Sequence, residues 1–203
     1  MLYVFSGADQ LSADFLSTCT CFLPKWRLDQ MRSFRFPADQ KLCAIAYLLL
    51  IHALKKECIF NALPEFGYHA DGKPFLTNYP GIYFNLSHCG NVAVCLLSDA
   101  EVGVDVEKVG EYDDELALAI CNEKEYRWIS GFIDPHLKAK KFTEIWTRKE
   151  SLVKWSGTGL NCDPREILPA AYPEIPEESF HISSIYDEAG DFYISVCSTN
   201  KQE

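Results

Sequence analysis

The 203-residue chain reads as an α+β protein because its strand and helix patterns come in runs instead of alternating. Three short, β-branched apolar segments follow one another between Ile82 and Val106, and another pair closes the chain. Two longer stretches carry apolar residues at helical spacing. Strands grouped in this way, with only turn residues between them, predict antiparallel pairing.

Leu2 to Phe5 predicts a short strand. Pro37-Ala38-Asp39 opens a core helix from Ala38 to Leu54, proline being tolerated in the first turn and an acid being favoured there. Asp71-Gly72-Lys73-Pro74 is a turn. Ile82–Leu86, Val92–Leu97 and Val102–Val106 follow as strands, with Cys89-Gly90-Asn91 and Ser98-Asp99-Ala100 as turns. Asp113–Ile129 and Leu137–Trp155 are expected as helices. The second carries Phe142, Ile145, Trp146, Lys149, Leu152 and Val153 at helical spacing, with Gly157 just past its end. Pro164 to Glu178, with four prolines, is a loop, and Phe180–Tyr186 with Phe192–Cys197 form a closing hairpin. A boundary near Ala100 divides the chain into residues 1–100 and 101–203, each with strands and at least one long helix.

A hydrophobic share of 48% with 24% charged residues suits a folded soluble protein rather than a disordered one. The longest apolar run, Leu42 to Ile51, is ten residues, about half of the roughly 20 that span a bilayer. Met1–Phe5 is brief and lacks a basic start, so no secretory signal is expected and the predicted location is the cytoplasm. Nine scattered cysteines read mostly as buried thiols. Cys19-Thr20-Cys21 is the only close pair, and no second pair follows to complete a structural zinc site.

The net charge of −10 argues against nucleic-acid binding, which needs a basic surface. The charge is uneven. Lys25, Arg27, Arg32, Arg35 and Lys41 against Asp29 and Asp39 make the stretch from Lys25 to Lys41 +3, leaving −13 for the rest. A local anion site fits that segment.

The chemistry concentrates elsewhere. In Gly103-Val104-Asp105-Val106-Glu107, strand alternation puts Asp105 and Glu107 on one face with Cα atoms about 6.6 Å apart. A third acid, Glu150, lies in the helical stretch from Trp146 to Lys154. Together the three suggest a divalent metal site, and magnesium suits hard oxygen ligands shared with phosphates. Each part has an ordinary alternative: paired acids on the solvated face of a strand, and a Glu150–Lys154 i,i+4 ion pair on an exposed helix.

Four separated elements, in order, resemble the 4′-phosphopantetheinyl transferases of the surfactin-synthetase-activating type. They are Gly72-Lys73-Pro74, Phe84-Asn85-Leu86-Ser87-His88, Gly103 to Glu107, and Trp146 to Lys154 continuing into Gly157-Thr158-Gly159-Leu160. The resemblance runs from about Lys25 to Leu160. It implies a monomer of two pseudo-symmetric halves, each an antiparallel sheet packed with a long helix, with coenzyme A between them. The implied reaction moves the phosphopantetheine arm onto a serine of an apo acyl or peptidyl carrier protein and releases adenosine 3′,5′-bisphosphate.

On that resemblance Asp105, Glu107 and Glu150 hold magnesium, Glu150 or a metal-bound water is the base, and Lys154 pairs with phosphate or leaving group. Lys73, Ser87 and His88 contact the coenzyme A phosphates, and Arg27, Arg32 and Lys41 are candidates for the 3′-phosphate. One departure stands out: Cys89 replaces the serine usual after the histidine. Glu123 and Glu125 precede Tyr126 where the family often has an acid before an aromatic residue, and Glu125, the closer match, reads as a second base or a surface residue. Tyr112, Leu116, Leu118 and Ile120, in the segment from Val109 to Cys121, are candidates for an apolar edge that docks the carrier. Two other functions use the same residues: a non-catalytic binding module for coenzyme A or the carrier, and a magnesium-dependent nucleotide pyrophosphatase with water as the nucleophile.

Overall fold

The computed structural model describes residues 1–12, 14–159, 163–167 and 180–200. In chain order its elements are β1 (Leu2–Ser6), α1 (Phe15–Cys19), α2 (Lys25–Ser33), α3 (Pro37–Lys56), β2 (Phe66–Tyr68), β3 (Pro74–Leu76), β4 (Tyr83–Cys89), β5 (Val92–Ser98) and β6 (Val102–Lys108). They continue with α4 (Asp114–Ile120), α5 (Glu123–Ser130), α6 (Pro135–Ser156), β7 (Phe180–Asp187) and β8 (Phe192–Thr199). The sheets are β1-β5-β4, β2-β3 and β6-β8-β7, and every pair is antiparallel. The class is α+β, as expected.

Alternation explains the layers. Leu97 and Cys95 of β5, with Phe84 of β4, meet Leu49, Leu50, Ala53 and Leu54 of α3. The opposite face of β5, Val92, Val94 and Leu96, meets Val102, Val104 and Val106 of β6 with Phe192 and Ile194 of β8. On the far side of that sheet, Leu152 and Val153 of α6 pack on Phe180, Ile182 and Cys197. The buried face of each strand is therefore the one its valines and leucines dictate, and the remaining face of β6 is left for α6.

Gly103 sets how closely helix and strand approach. A Cβ there would lie 2.0 Å from the Ser151 carbonyl oxygen and 2.4 Å from the Trp155 amide nitrogen, so only glycine lets α6 lie this near β6. Helix α6 ends at Gly157, whose φ of 74° is the left-handed conformation that glycine adopts freely.

Three expectations change. The helix expected over Asp113–Ile129 is two helices. The Asn122 side chain accepts from the amides of Lys124 and Glu125 at 3.0 Å each, and the Glu125 carboxylate accepts from the Asn122 amide at 2.9 Å, which starts a new helix. Cys89 is a strand residue paired with Val92, leaving a two-residue turn at Gly90-Asn91; Gly90 supplies the positive φ of 59°. Strand β6 does not continue the β4–β5 sheet but pairs with β8. Helices α1 and α2 and the β2–β3 hairpin around the Asp71–Pro74 turn are additions to the sequence reading.

Leu160, Cys162 and the proline-rich loop beyond Ile167 lie outside the described residues. Among the described cysteines, Cys19, Cys43, Cys95, Cys121 and Cys197 are buried. No helix among the described residues is long and apolar enough to cross a membrane.

Candidate active site

Strand β6 turns its valines into the core between the sheets, which leaves Asp105 and Glu107 facing the helix that Gly103 admits. Asp105 is 2% exposed. Its Oδ1 accepts from Lys154 Nζ at 2.6 Å and from Ser87 Oγ at 2.8 Å, while Lys154 also donates to Ser87 Oγ at 3.0 Å. The three groups form a closed triangle joining β4, β6 and α6. Lys154 thus pairs across to the strand instead of with Glu150 along its own helix.

The site carries more acid than base. Asp105 Oδ2 and Glu150 Oε1 are buried without hydrogen-bond partners. Burial pushes the Glu150 carboxyl up; Lys154 opposes this, and Asp105 and Glu107 add to it. Glu107 is raised likewise by burial and by Asp105, against a hydrogen bond from Cys89, the Lys154 charge and a hydrogen bond from Trp146. Three carboxylates that feel one another share one ammonium.

Among the described residues no three acidic, histidine or cysteine side chains converge closely enough to hold a metal ion. The donor set nonetheless fits a hard divalent cation. It offers two orphaned buried oxygens, an excess of negative charge and only oxygen ligands.

The remaining candidates fall into two groups. His88 lies on the opposite face of β4 from Ser87: burial lowers its pKa first, then the Arg27 and Lys154 charges, against a backbone hydrogen bond and Asp39. Its neighbour Cys89 is pushed up to about 11 by burial and by its hydrogen bond to Glu107. The basic candidates are largely engaged by the fold. Lys73 reaches Glu101 at 2.5 Å and the Trp155 carbonyl at 2.8 Å, so it clasps the C-terminal end of α6. Arg27 is buried, donating to the Cys43 carbonyl at 2.6 Å and to Gln30 at 2.7 Å. Lys41 donates to the Leu11 carbonyl at 3.1 Å, and Arg32 is exposed in the last turn of α2.

Several contributors escaped the sequence reading. Asn85 Oδ1 accepts from the Val104 amide at 2.9 Å, tying β4 to the edge strand that carries the acids. Its signal was polar residues at every second position of β4: Asn85, Ser87 and then Cys89. Glu125 is not a surface residue. It is fully buried and paired with Lys149 at 2.7 Å. The Lys149 ammonium also donates to the carbonyls of Ile120 and Pro164, each at 2.9 Å.

Two cavities flank the cluster. One of about 290 Å³ is lined by Asp71, Gly72, Lys73, Asn85, Lys154 and Gly157, among others. The other, about 240 Å³, is lined by Glu107, Leu116, Ala139, Phe142, Thr143 and Trp146, among others. In the segment expected to dock a carrier, Leu116 and Leu118 are exposed and Ile120 is buried, while Tyr112 packs edge-on against Phe142.

Residues 101–197 match a family model described as the 4′-phosphopantetheinyl transferase superfamily. The chain is 33% identical over 114 residues to 4′-phosphopantetheinyl transferase gsp of Aneurinibacillus migulanus, covering 56% of this chain and 45% of that protein. It is 31% identical over 90 residues to 4′-phosphopantetheinyl transferase Sfp of Bacillus subtilis strain 168, covering 44% and 40%. It is 39% identical over 100 residues to 4′-phosphopantetheinyl transferase AcpT of Salmonella typhi, covering 48% and 52%. The chain thus spans about half the length of the curated relatives it matches. A solved structure of Thermotoga maritima holo-[acyl-carrier-protein] synthase aligns with a TM-score of 0.40 and 20% identity, over 51% of this chain and 64% of that one.

Proposed function

We propose that this chain, whose residues 101–197 match the 4′-phosphopantetheinyl transferase superfamily model, transfers phosphopantetheine from coenzyme A to a serine of an apo acyl or peptidyl carrier protein. The observation that carries the reading is the Asp105–Lys154–Ser87 triangle with Glu107 and Glu150 beside it, since it joins hard-cation ligands to a fixed positive charge. Phosphoryl transfer needs both.

In this mechanism the serine oxygen attacks the phosphorus that bears the pantetheine arm. The bond from that phosphorus to the bridging oxygen breaks, and its electron pair leaves on adenosine 3′,5′-bisphosphate. Magnesium held by Asp105, Glu107 and Glu150 would supply charge withdrawal at the pyrophosphate. Lys154, anchored by Asp105 and Ser87, presents a point charge to the phosphates or to the departing group. Glu150, with a buried oxygen that lacks a hydrogen-bond partner, is placed to take the serine proton. His88, on the opposite face of β4 from Ser87, is a candidate to meet a phosphate, and the exposed Arg32 is available to the 3′-phosphate; Lys41, Arg27 and Lys73 support the site from their places in the fold. The monomeric state and cytoplasmic location belong to the same reading.

The test is the intact mass of an apo carrier protein incubated with this protein, coenzyme A and magnesium, beside the Glu150→Gln variant. Addition of one phosphopantetheine by the wild type, falling about 10²–10³-fold in the variant, is the expected result. Coenzyme A binding with no carrier modified would favour the binding module. Cleavage of coenzyme A without a carrier would favour the pyrophosphatase.

A further inference from the structure

The two three-stranded sheets are connected alike. β1, β4 and β5 take the order β1-β5-β4, and β6, β7 and β8 take the order β6-β8-β7. In each, a long helix lies between the first and second strands and begins with a proline, Pro37 in α3 and Pro135 in α6. The acid cluster therefore has a counterpart, position for position. Tyr3 pairs with the fourth residue of β5 as Asp105 pairs with the fourth of β8, and Phe5 and Glu107 each pair with the second. His52 is the sixteenth residue of α3 and Glu150 the sixteenth of α6, while Leu48 and Trp146 are each the twelfth.

These counterparts meet. Tyr3, Phe5, Leu48 and His52 line one cavity of about 360 Å³ between β1 and α3. It shares no lining residue with the two cavities beside the acid cluster. Its chemistry is the reverse of theirs. Phe5, Leu11, Phe15, Ile45, Leu48 and Leu49 make the wall apolar, and it contains no carboxylate to hold a hard cation. The volume falls within the roughly 300–1,000 Å³ of pockets that enclose small molecules.

Polar groups gather at one end. The His52 ring stands edge-on to Tyr3 at 5.9 Å. The Tyr3 hydroxyl donates to the Glu57 carboxylate, and Lys55 is drawn over the Phe60 ring at 4.9 Å. His52 and Lys56, one helical turn apart and both exposed, remain as donors there. An apolar wall with cationic and imidazole donors at one end is complementary to a chain that ends in an acid.

We infer that this cavity binds an apolar monocarboxylate, a medium-chain fatty acid in chemical class, with its chain against Phe15, Ile45 and Leu48 and its carboxylate at His52 and Lys56. The site is a second one, and it does not rest on the transferase reading.

The test uses two ligands that share a chain and differ in the head. Octanoate and octanol are titrated calorimetrically into the full chain and into Leu48→Trp, His52→Ala and Lys56→Glu. The wild type should bind octanoate saturably and more tightly than octanol. His52→Ala and Lys56→Glu should each weaken octanoate about tenfold and leave octanol unchanged. Leu48→Trp, which fills the cavity, should weaken both about tenfold; the two variants of exposed residues decide the matter if it fails to fold. Absence of saturable octanoate binding to the wild type, or binding that all the variants leave unchanged, overturns the inference. Equal weakening of both ligands by Lys56→Glu overturns it too, because the carboxylate would then have no part. A last outcome gives the face to a second copy of the chain: association in sedimentation velocity that octanoate does not displace and that Val4→Lys, at a strand residue 45% exposed, abolishes. That result also overturns the inference.

Discussion

Two lysines on α6, five residues apart, occupy opposite electrostatic worlds. Lys149 is sealed in the fold with its exposure and that of Glu125 both at 0%, and its three donors go to Glu125 and the carbonyls of Ile120 and Pro164. One cation meets one anion. Lys154 is 28% exposed, lines a cavity, pairs with Asp105, and is the ammonium whose charge Glu107 and Glu150 also feel. Each site leaves a buried carboxylate oxygen unpartnered, so an orphaned oxygen does not by itself separate structure from function. Charge balance does: the Lys149 site is formally neutral, and the Lys154 site sets three carboxylates against one ammonium.

The largest effect should come from breaking the neutral site. Lys149→Met leaves Glu125 charged and buried without its cation, and a loss of about 3–5 kcal/mol of folding stability is expected. Lys149→Met/Glu125→Gln should recover much of it, since glutamine keeps the cap on the Asn122 amide without the charge. Urea unfolding of the two variants checks this. A cost below about 1 kcal/mol for the single variant would mean that the pair is a surface-like ion pair and would dissolve the comparison.

Gly103→Ala probes the contact on which the open site depends. The added Cβ meets backbone atoms of Ser151 and Trp155, which cannot rotate aside, so α6 must shift outward at a cost of about 1–3 kcal/mol. The Lys154–Asp105 pair would lengthen with it. Both thermal stability and carrier modification should therefore fall together, whereas in Lys149→Met the rate per folded molecule should fall less than the stability. Unaltered activity in Gly103→Ala would show that the approach of helix to strand is not what positions the cluster.

Glu150→Gln should move stability the other way. Removing one of three mutually repelling carboxylates is expected to stabilise the cation-free protein by about 0.5–1 kcal/mol, even as it removes the proposed base. Magnesium should raise the melting temperature of the wild type more than that of the variant. A destabilised variant would show that Glu150 is already compensated, and the acid-rich description of the site would fail.

These contrasts were unevenly legible in the sequence. Strand alternation gave Asp105 and Glu107 a common face, and the helical spacing of Phe142, Ile145, Trp146, Lys149 and Val153 outlined the buried side of α6. That spacing already placed Lys149 among core positions, yet its partner could not be read, because Glu125 belongs to a helix whose start depends on Asn122. The spacing Asn122-x-x-Glu125 is a capping box and was the available signal for the break. Residues Phe66–Tyr68 and Pro74–Leu76 form strands of three residues, too short for a period to show. The roles of Lys73 and Arg27 were hidden for another reason: a basic residue in a basic stretch looks free until the carbonyls that hold it are brought in by the fold.

The smallest predicted effect concerns His88, whose neutral form is favoured by burial and by the cations Arg27 and Lys154. In the unfolded chain its pKa returns to about 6.5. As the pH falls through that value the unfolded chain takes up a proton that the folded protein resists, so this residue's contribution to stability falls with pH and levels off below the lowered folded value. Above about pH 7.5 both states are neutral and the contribution is flat. Comparison of wild type and His88→Gln by thermal unfolding between about pH 5 and 8 isolates the term, because the other groups are common to both. The stability difference should shift in favour of the variant as the solution becomes more acidic. A difference that stays constant with pH would place His88 in an environment that accepts the proton, and a phosphate bound there would then meet a cation instead of a neutral donor.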